Sequence, residues 1–295
     1  MARVMLITNP AAARTNPGIV RTVSDVLGRE GWGVDVVDTT HAGHAAELAA
    51  DGVRDGVDVI AVHGGDGTTM QAVKGMQGSD VPLGMIPGGT GNLLAGNLRI
   101  PRDPAKAALA IARERPRDID LGSMARPDGA HFFAVAAGAG FDAELMAGTT
   151  PAAKRRWKMA AYVARAWGTG GTVKSVPSRI TVDDRVIECK AASVLVANCA
   201  EFIPPFVTFR KGVAIDDGLF DVVILTAEGL FESLGVVLEW ITGDDSSTRV
   251  QYARGRMVRV EMEPSQAAQI DGEPAGRTPF TAELLPGALR VIAPA

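Results

Sequence analysis

Several things this sequence lacks narrow what it can be. No apolar run approaches the roughly 20 residues that a helix needs to cross a bilayer, which excludes a protein built on membrane-spanning helices. The start, Met1-Ala2-Arg3-Val4-Met5-Leu6-Ile7, has too short an apolar run for a signal peptide and reads as a first strand of a cytoplasmic protein. Cysteine is scarce: Cys189 and Cys199 are the only two. Their spacing fits neither a disulfide framework nor a zinc site, so they read as buried free thiols in a reducing compartment. Of four histidines, His41 and His44 lie close together, but with no third ligand evident they are not read as a metal site. The formal net charge of −4 offers nothing to attract nucleic acid. Nothing matches G-x-x-x-x-G-K-[ST], so the P-loop and its lysine are absent. Internal repeats and low-complexity tails are absent too.

What is present is the composition of a folded protein, 46% hydrophobic and 22% charged over 295 residues, enough for one large domain or two ordinary ones. The first hundred residues alternate between two periodicities. Strands are predicted at Val4–Thr8, Val34–Val37, Val57–Val62 and Val81–Ile86, and helices at Ile19–Leu27, behind Pro17, and at Ala45–Val53. That alternation implies βαβ units and a largely parallel sheet, with ligands gathering at the carboxyl ends of its strands.

Beyond Arg117 strand signals dominate: Asp118–Met124, Ala130–Ala137, Ser178–Val182, Lys190–Ala197, Leu219–Leu225, Met257–Met262 and Leu289–Ile292. Helical segments interrupt them near Ala152–Trp167 and Leu230–Ile241. The fold class is therefore read as α/β plus β. An α/β domain over 1–117 precedes an antiparallel sheet or sandwich over 118–295, with a cleft between them.

Three loops follow predicted parallel strands and should share one sheet edge. They are Asn9-Pro10, Gly64-Gly65-Asp66-Gly67-Thr68 and Pro87-Gly88-Gly89-Thr90-Gly91-Asn92. Bare backbone amides, hydroxyls and one carboxylate suit a nucleoside triphosphate with its magnesium ion. Farther on, Gln269-Ile270-Asp271-Gly272-Glu273-Pro274 fits either a general base in a cleft or a type I′ or II′ hairpin turn with solvated acids. Ala214-Ile215-Asp216-Asp217-Gly218-Leu219 poses a similar choice between a cation site and a turn, and the turn is the simpler reading. A dinucleotide-like Gly138-Ala139-Gly140-Phe141-Asp142-Ala143 is followed, where an acidic ribose partner belongs, by Arg155-Arg156-Trp157-Lys158; it reads as a close-packed turn.

In this order the residues resemble the diacylglycerol kinase catalytic family, which includes bacterial lipid kinases and sphingosine kinases. The resemblance runs nearly end to end. It takes in Asn9-Pro10, Thr39 with Gly43-His44-Ala45, the two glycine loops and Asp120-Leu121-Gly122. It continues through Gly140-Phe141-Asp142-Ala143, Asp217-Gly218-Leu219-Phe220-Asp221, Asp271-Gly272-Glu273-Pro274 and Leu285-Pro286-Gly287-Ala288-Leu289. It implies a Rossmann-like nucleotide domain, a C-terminal β-sandwich and catalysis between them. It also implies that ATP is contacted by Asn9, Pro10, Thr39, Gly64, Gly65, Asp66, Gly67, Thr68, Thr69, Met70, Gln71, Gly89, Thr90 and Asn92. Glu273 would then be the base on a lipid hydroxyl, supported by Asp271. Asp66 is the candidate to orient the catalytic magnesium, directly or through water. Asp217, with the carbonyls of Ala214 and Leu219, would hold a structural magnesium.

The chain departs from the family in two places. Bacterial members often continue the first loop as GGDGT-x-N-E, where this chain has Met70 and Gln71. They often read N-D-F-A where it has Asn92-Leu93-Leu94-Ala95. The basic stretch Ala153–Val163, with Trp157 and Tyr162, suits a helix resting on anionic headgroups at the inner face of a membrane, or a surface helix with its aromatics turned inward. The expected partner is a lipid presented by a membrane surface, and a homodimer is left open. An NAD kinase shares the GGDGT loop and is the nearest enzymatic rival; a catalytically silent lipid- or nucleotide-binding protein is the rival of another kind.

Overall fold

The computed structural model describes residues 1–12, 14–126, 129–140, 174–203, 207–208, 213–226 and 249–294. The predicted helices near Ala152–Trp167 and Leu230–Ile241, the basic stretch Ala153–Val163 and Phe141-Asp142-Ala143 lie outside these residues. The chain divides into two compact units, Met1–Leu121 with Pro286–Ala295, and Gly122–Leu285.

In the first unit β1 (Arg3–Thr8), β2 (Gly33–Asp38), β3 (Val59–Gly64) and β4 (Leu83–Pro87) form a parallel sheet in the order β2-β1-β3-β4. Five helices accompany it: α1 (Pro17–Arg29), α2 (His44–Arg54), α3 (Asp66–Gly75), α4 (Leu93–Asn97) and α5 (Pro104–Arg113). Strand β3 is buried along its whole length, as a strand covered on two faces must be. Gly52 of α2 lies on Met5 and Ile60, whereas Ile111 of α5 lies on Gly84, which pairs with Ala61. Neighbouring strand residues point to opposite faces, so α2 and α5 cover opposite sides of the sheet. Helix α3 packs beside α2, and α1 beside α5. The starts of α1 and α5 follow the sequence signals for helix initiation. Pro17 and Pro104 stand in their first turns, Asn16 accepts from the Ile19 N–H at 3.0 Å, and Asp103 accepts from the Lys106 N–H at 2.9 Å.

Strand β5 (Pro116–Arg126) leads into the second unit and pairs with β6 (Gly129–Phe133). There follow β7 (Ala136–Gly140), β8 (Val176–Val182), β9 (Arg185–Ala191), β10 (Ser193–Ala197), β11 (Glu201–Ile203) and β12 (Val207–Thr208). The rest are β13 (Phe220–Leu225), β14 (Val250–Gly255), β15 (Met257–Met262), β16 (Ala267–Ile270), β17 (Glu273–Arg277) and β18 (Phe280–Ile292). One antiparallel sheet runs β14-β13-β10-β7-β16-β17, and the other runs β18-β15-β8-β9. Their inner faces share one core, in which Ile180, Val258, Val260 and Phe280 of one meet Val194, Val196, Phe220 and Val222 of the other. Phe133 stacks on Phe220 with ring centroids 5.6 Å apart. This is the expected α/β unit followed by a β-sandwich.

Several details differ from the sequence expectation. The strand foreseen at Ala130–Ala137 is two, β6 and β7, separated at Ala134–Val135. Gly138-Ala139-Gly140 lies within β7 rather than in a turn. Gly140 has φ 97°, and a Cβ there would stand 2.3 Å from the Ala192 carbonyl oxygen. Leu289–Ile292 belongs with the parallel sheet: Val291 pairs in parallel with Leu83, so β18 begins in the second unit and ends in the first. The first unit thus reaches Leu121 and regains the last ten residues, where the sequence suggested one boundary at 117.

Candidate functional site

Because β1 to β4 run parallel, their carboxyl ends lie on one edge, and Asn9, Thr39, Gly64 to Gly67 and Gly88 to Asn92 follow them there. The Asn9 N–H donates to the His63 carbonyl at 3.1 Å, and its Nδ2 donates to Thr68 Oγ1 at 2.9 Å. The Thr39 N–H donates to the Thr8 carbonyl at 2.8 Å. Pro10 is exposed beside Asn9. Thr69 is buried, and its hydroxyl donates to the Gly65 carbonyl at 3.1 Å. Met70 is half-buried. Gln71, one of the two departures from the first-loop pattern, ties α3 to the loop before α2, because its Oε1 accepts from the Gly43 N–H at 3.1 Å.

The two glycine loops grip each other. The Gly88 N–H donates to the Gly64 carbonyl at 2.8 Å. A Cβ on Gly89 would lie 2.5 Å from the Gly65 Cα, and one on Gly65 would lie 3.3 Å from the Gly89 Cα. Space, more than backbone conformation, therefore demands glycine here, and a bulky Gly65→Val change would pry the loops apart. Asn92 closes the second loop on itself: Gly89 N–H donates to its Oδ1 at 2.9 Å and its Nδ2 donates to the Gly89 carbonyl at 2.8 Å.

Asp66 joins the loops from inside. Its Oδ2 accepts from the Asn92 N–H at 2.7 Å and its Oδ1 from the Leu93 N–H at 2.6 Å, which caps the start of α4. Burial pushes its carboxyl above the usual carboxylate range, and the loop amides pull the other way. Both carboxylate oxygens of Asp66 thus engage backbone amides of the second loop. Thr90 lies within that loop, half-buried.

Helix α3, like α2, starts on a glycine. Its N-cap, Gly65, provides no side-chain cap, and nothing lies within 4 Å of where a Cβ on Gly67 would stand. A donor-rich helix start faces open space beside the sheet edge.

His63, which sequence reasoning passed over, sits fully buried immediately before this loop. Its Nδ1 lies 3.1 Å from the Ile86 carbonyl, linking the ends of β3 and β4, while Nε2 is buried and without a hydrogen-bond partner. Burial pushes its pKa below the ordinary imidazole value. Between that lowered value and about 6.5 the unfolded chain holds the proton that the folded chain refuses. Stability should therefore fall as the pH drops through that window. Melting curves taken at a series of pH values should show this slope in the wild type, and it should flatten in His63→Leu.

In the second unit, Asp271 and Gly272 form the turn between β16 and β17 with φ 46° and 82°, both positive, as a type I′ hairpin requires. Asp271 is also a carboxylate receptor. Its Oδ2 accepts from the Ala134 N–H at 2.9 Å, and its Oδ1 accepts from the N–H groups of Val135 at 2.9 Å and Ala136 at 3.0 Å. The same bend is held by Asn198, whose Nδ2 donates to the Ala134 carbonyl at 3.0 Å, and by the Cys199 thiol on that oxygen. Cys199 is free and buried, and its thiol pKa is raised by burial first and by the Asp271 and Glu201 charges next. Glu273 follows the turn as the first residue of β17 and is exposed. Asp217 meets Arg254, with its Oδ2 2.5 Å from Nη2.

A cluster outside both loops also emerges. His41, His44 and Glu47 bring one ligand atom each within 4.8 Å of one another. The sequence showed no third ligand beside the histidines, and Glu47 is that neighbour. Yet His44 Nδ1 accepts from the Thr40 N–H at 3.1 Å, which leaves the proton on Nε2. A metal at His44 would have to displace either that hydrogen bond or the Nε2 proton.

An α/β unit of Rossmann type with paired glycine loops, followed by a β-sandwich, defines the class. Residues 3–124 match the diacylglycerol kinase catalytic domain, and residues 135–293 match the YegS C-terminal NAD kinase beta sandwich-like domain. The chain is 27% identical to the diacylglycerol kinase of Bacillus subtilis over 95% of its own length and 92% of that protein's. It is 29% identical to a Pseudomonas putida protein named "Probable lipid kinase YegS-like", over 94% and 90% of the two lengths. An uncharacterized Synechocystis protein is 27% identical over 81% of this chain and 56% of its own length. A Bacillus anthracis crystal structure superimposes with a TM-score of 0.84 at 25% identity, covering 99% of this chain and 97% of that one. The chain belongs to the diacylglycerol kinase and YegS-like lipid kinase family.

No helix among the described residues is long and apolar enough to cross a membrane.

Proposed function

We propose that this protein transfers the γ-phosphoryl group of ATP to a hydroxyl of a lipid presented by a membrane surface. The observation that carries the reading is the start of α3 at the edge where four parallel strands end, with glycine at its N-cap and open space beside Gly67. Side chains serve the starts of α1, α5 and α4, through Asn16, Asp103 and Asp66, whereas α2 and α3 begin on glycines without a side-chain cap, and of these two only α3 follows the glycine loop after β3. Unserved helical amides draw phosphate. Asn9, Thr39, Thr68 to Gln71 and Thr90 would surround the nucleotide, and Asp66 would keep the second loop closed over it. Magnesium, when bound with the nucleotide, neutralises charge on the transferring phosphoryl group. Glu273 would take the proton of the attacking hydroxyl. The names of the relatives make diacylglycerol the first acceptor to try.

Radiolabelled ATP offered with micelles of diacylglycerol, phosphatidylglycerol, ceramide and sphingoid bases should label one lipid. A parallel tube holds NAD, since the C-terminal family description names an NAD kinase-like sandwich. Label in the NAD tube alone overturns the proposal, and so does silence from folded protein across all tubes. Gly67→Ala probes the nucleotide directly. The new methyl meets nothing in the protein and favours a helix by about 0.5–1 kcal/mol. Melting should hold or rise while ATP affinity falls, and unchanged affinity would move the phosphates elsewhere.

A further inference from the structure

The family resemblance assigns a structural magnesium ion to Asp217 with the carbonyls of Ala214 and Leu219. Magnesium takes an all-oxygen shell at close to ideal octahedral geometry and keeps several waters, so the carboxylate must offer it a lone pair on a side that no other cation occupies. Both oxygens of Asp217 are already engaged by nitrogen. Oδ2 lies 2.5 Å from Arg254 Nη2, and Oδ1 accepts from the Leu219 N–H at 3.1 Å. Arg254 also reaches Asp221, with Nε 3.2 Å from Oδ1. Its place is fixed by the fold, since Asp221 and Arg254 stand directly opposite each other in the β13–β14 ladder. Arg256, just past β14, donates from Nε to the Gly218 carbonyl at 3.3 Å. Two guanidinium groups thus bring two permanent positive charges to the turn, the same charge that a magnesium ion would carry.

We propose that Arg254 is the resident cation of the Asp217 turn, with Arg256 as its second clamp, and that this chain holds the turn without the structural magnesium of its family. The surroundings of Asp217 do not fit the ion: one guanidinium already holds Oδ2, a second donates to the carbonyl of the same turn, and a further divalent charge beside two fixed cations is repelled. The register makes the arrangement specific. An arginine across from Asp221 forks between two carboxylates, one 27% and the other 10% exposed, where a lysine would offer only a point charge.

The test uses full-length protein without nucleotide or lipid, so it stands apart from the kinase reading. Melting temperatures are compared in EDTA and in millimolar Mg2+, and bound Mn2+ is counted by electron paramagnetic resonance. Wild type should melt at the same temperature in both buffers, with no Mn2+ bound that Asp217→Asn removes. Arg254→Gln should melt lower by roughly 2–4 °C and recover on adding Mg2+, through the carboxylate oxygen that the substitution frees. Wild-type protein that gains stability from Mg2+, or binds one Mn2+ lost in Asp217→Asn, would overturn the proposal. So would an Arg254→Gln protein that melts like wild type in EDTA. If Arg254→Gln does not fold, the wild-type and Asp217→Asn measurements decide alone.

Discussion

Glu273→Gln should abolish lipid phosphorylation, by about 10²–10⁴-fold in kcat, with ATP affinity and melting temperature unchanged. The side chain is exposed at the first position of β17, paired with Ile270 across a turn whose geometry is set by Asp271 and Gly272. Glutamine keeps the shape and its hydrogen-bonding reach but cannot take a proton. The substitution is isosteric and sits on an exposed side chain, so it leaves the hairpin backbone as it is and tests chemistry more than architecture. A loss confined to kcat marks an interaction made only in the transition state. Residual transfer near the wild-type rate would remove Glu273 from the base role.

Much of the first unit was legible because each local signal had one structural outcome. Apolar runs such as Val59 to Val62 became buried parallel strands, and Pro17 marks the start of α1 where it stands. The glycine loops were legible as loops, but the reason for their glycines was not. Gly65 and Gly89 are small because each loop occupies the space a Cβ on the other would need, a contact between positions 24 residues apart that no periodicity reveals. The same limit hid Asp66, whose partners Asn92 and Leu93 lie in the other loop. Leu289–Ile292 reads as one more strand of the sandwich, because alternation identifies a strand without naming its neighbour. Pairing with Leu83 takes it to the parallel sheet instead. Arg254 was unreadable for a related reason: its meaning comes from standing opposite Asp221, and register is a property of the folded pair. At Asp271-Gly272-Glu273 the residues alone fit both a hairpin turn and a general base in a cleft, and the structure shows the turn, with Glu273 exposed just after it.

Asp271→Ala should destabilise the protein by about 3–5 kcal/mol, the largest single effect expected in the second unit. Its carboxylate is the acceptor for three consecutive backbone amides, Ala134 to Ala136, in a bend whose residues are almost wholly buried. Removing it leaves those donors without the acceptor they face. Alanine must also adopt φ 46° there, a left-handed conformation that costs it roughly 1 kcal/mol more. Asp271→Asn tolerates that conformation and keeps one acceptor oxygen, so it should fall between wild type and alanine in denaturant midpoint. The two acids of the turn then separate by measurement. Glu273→Gln loses transfer without losing stability, whereas Asp271→Ala loses stability first and transfer as a consequence, through the hairpin that presents Glu273. An Asp271→Ala protein as stable as wild type would mean that Asn198 and Cys199 hold the bend without it, and that the carboxylate serves the reaction rather than the fold.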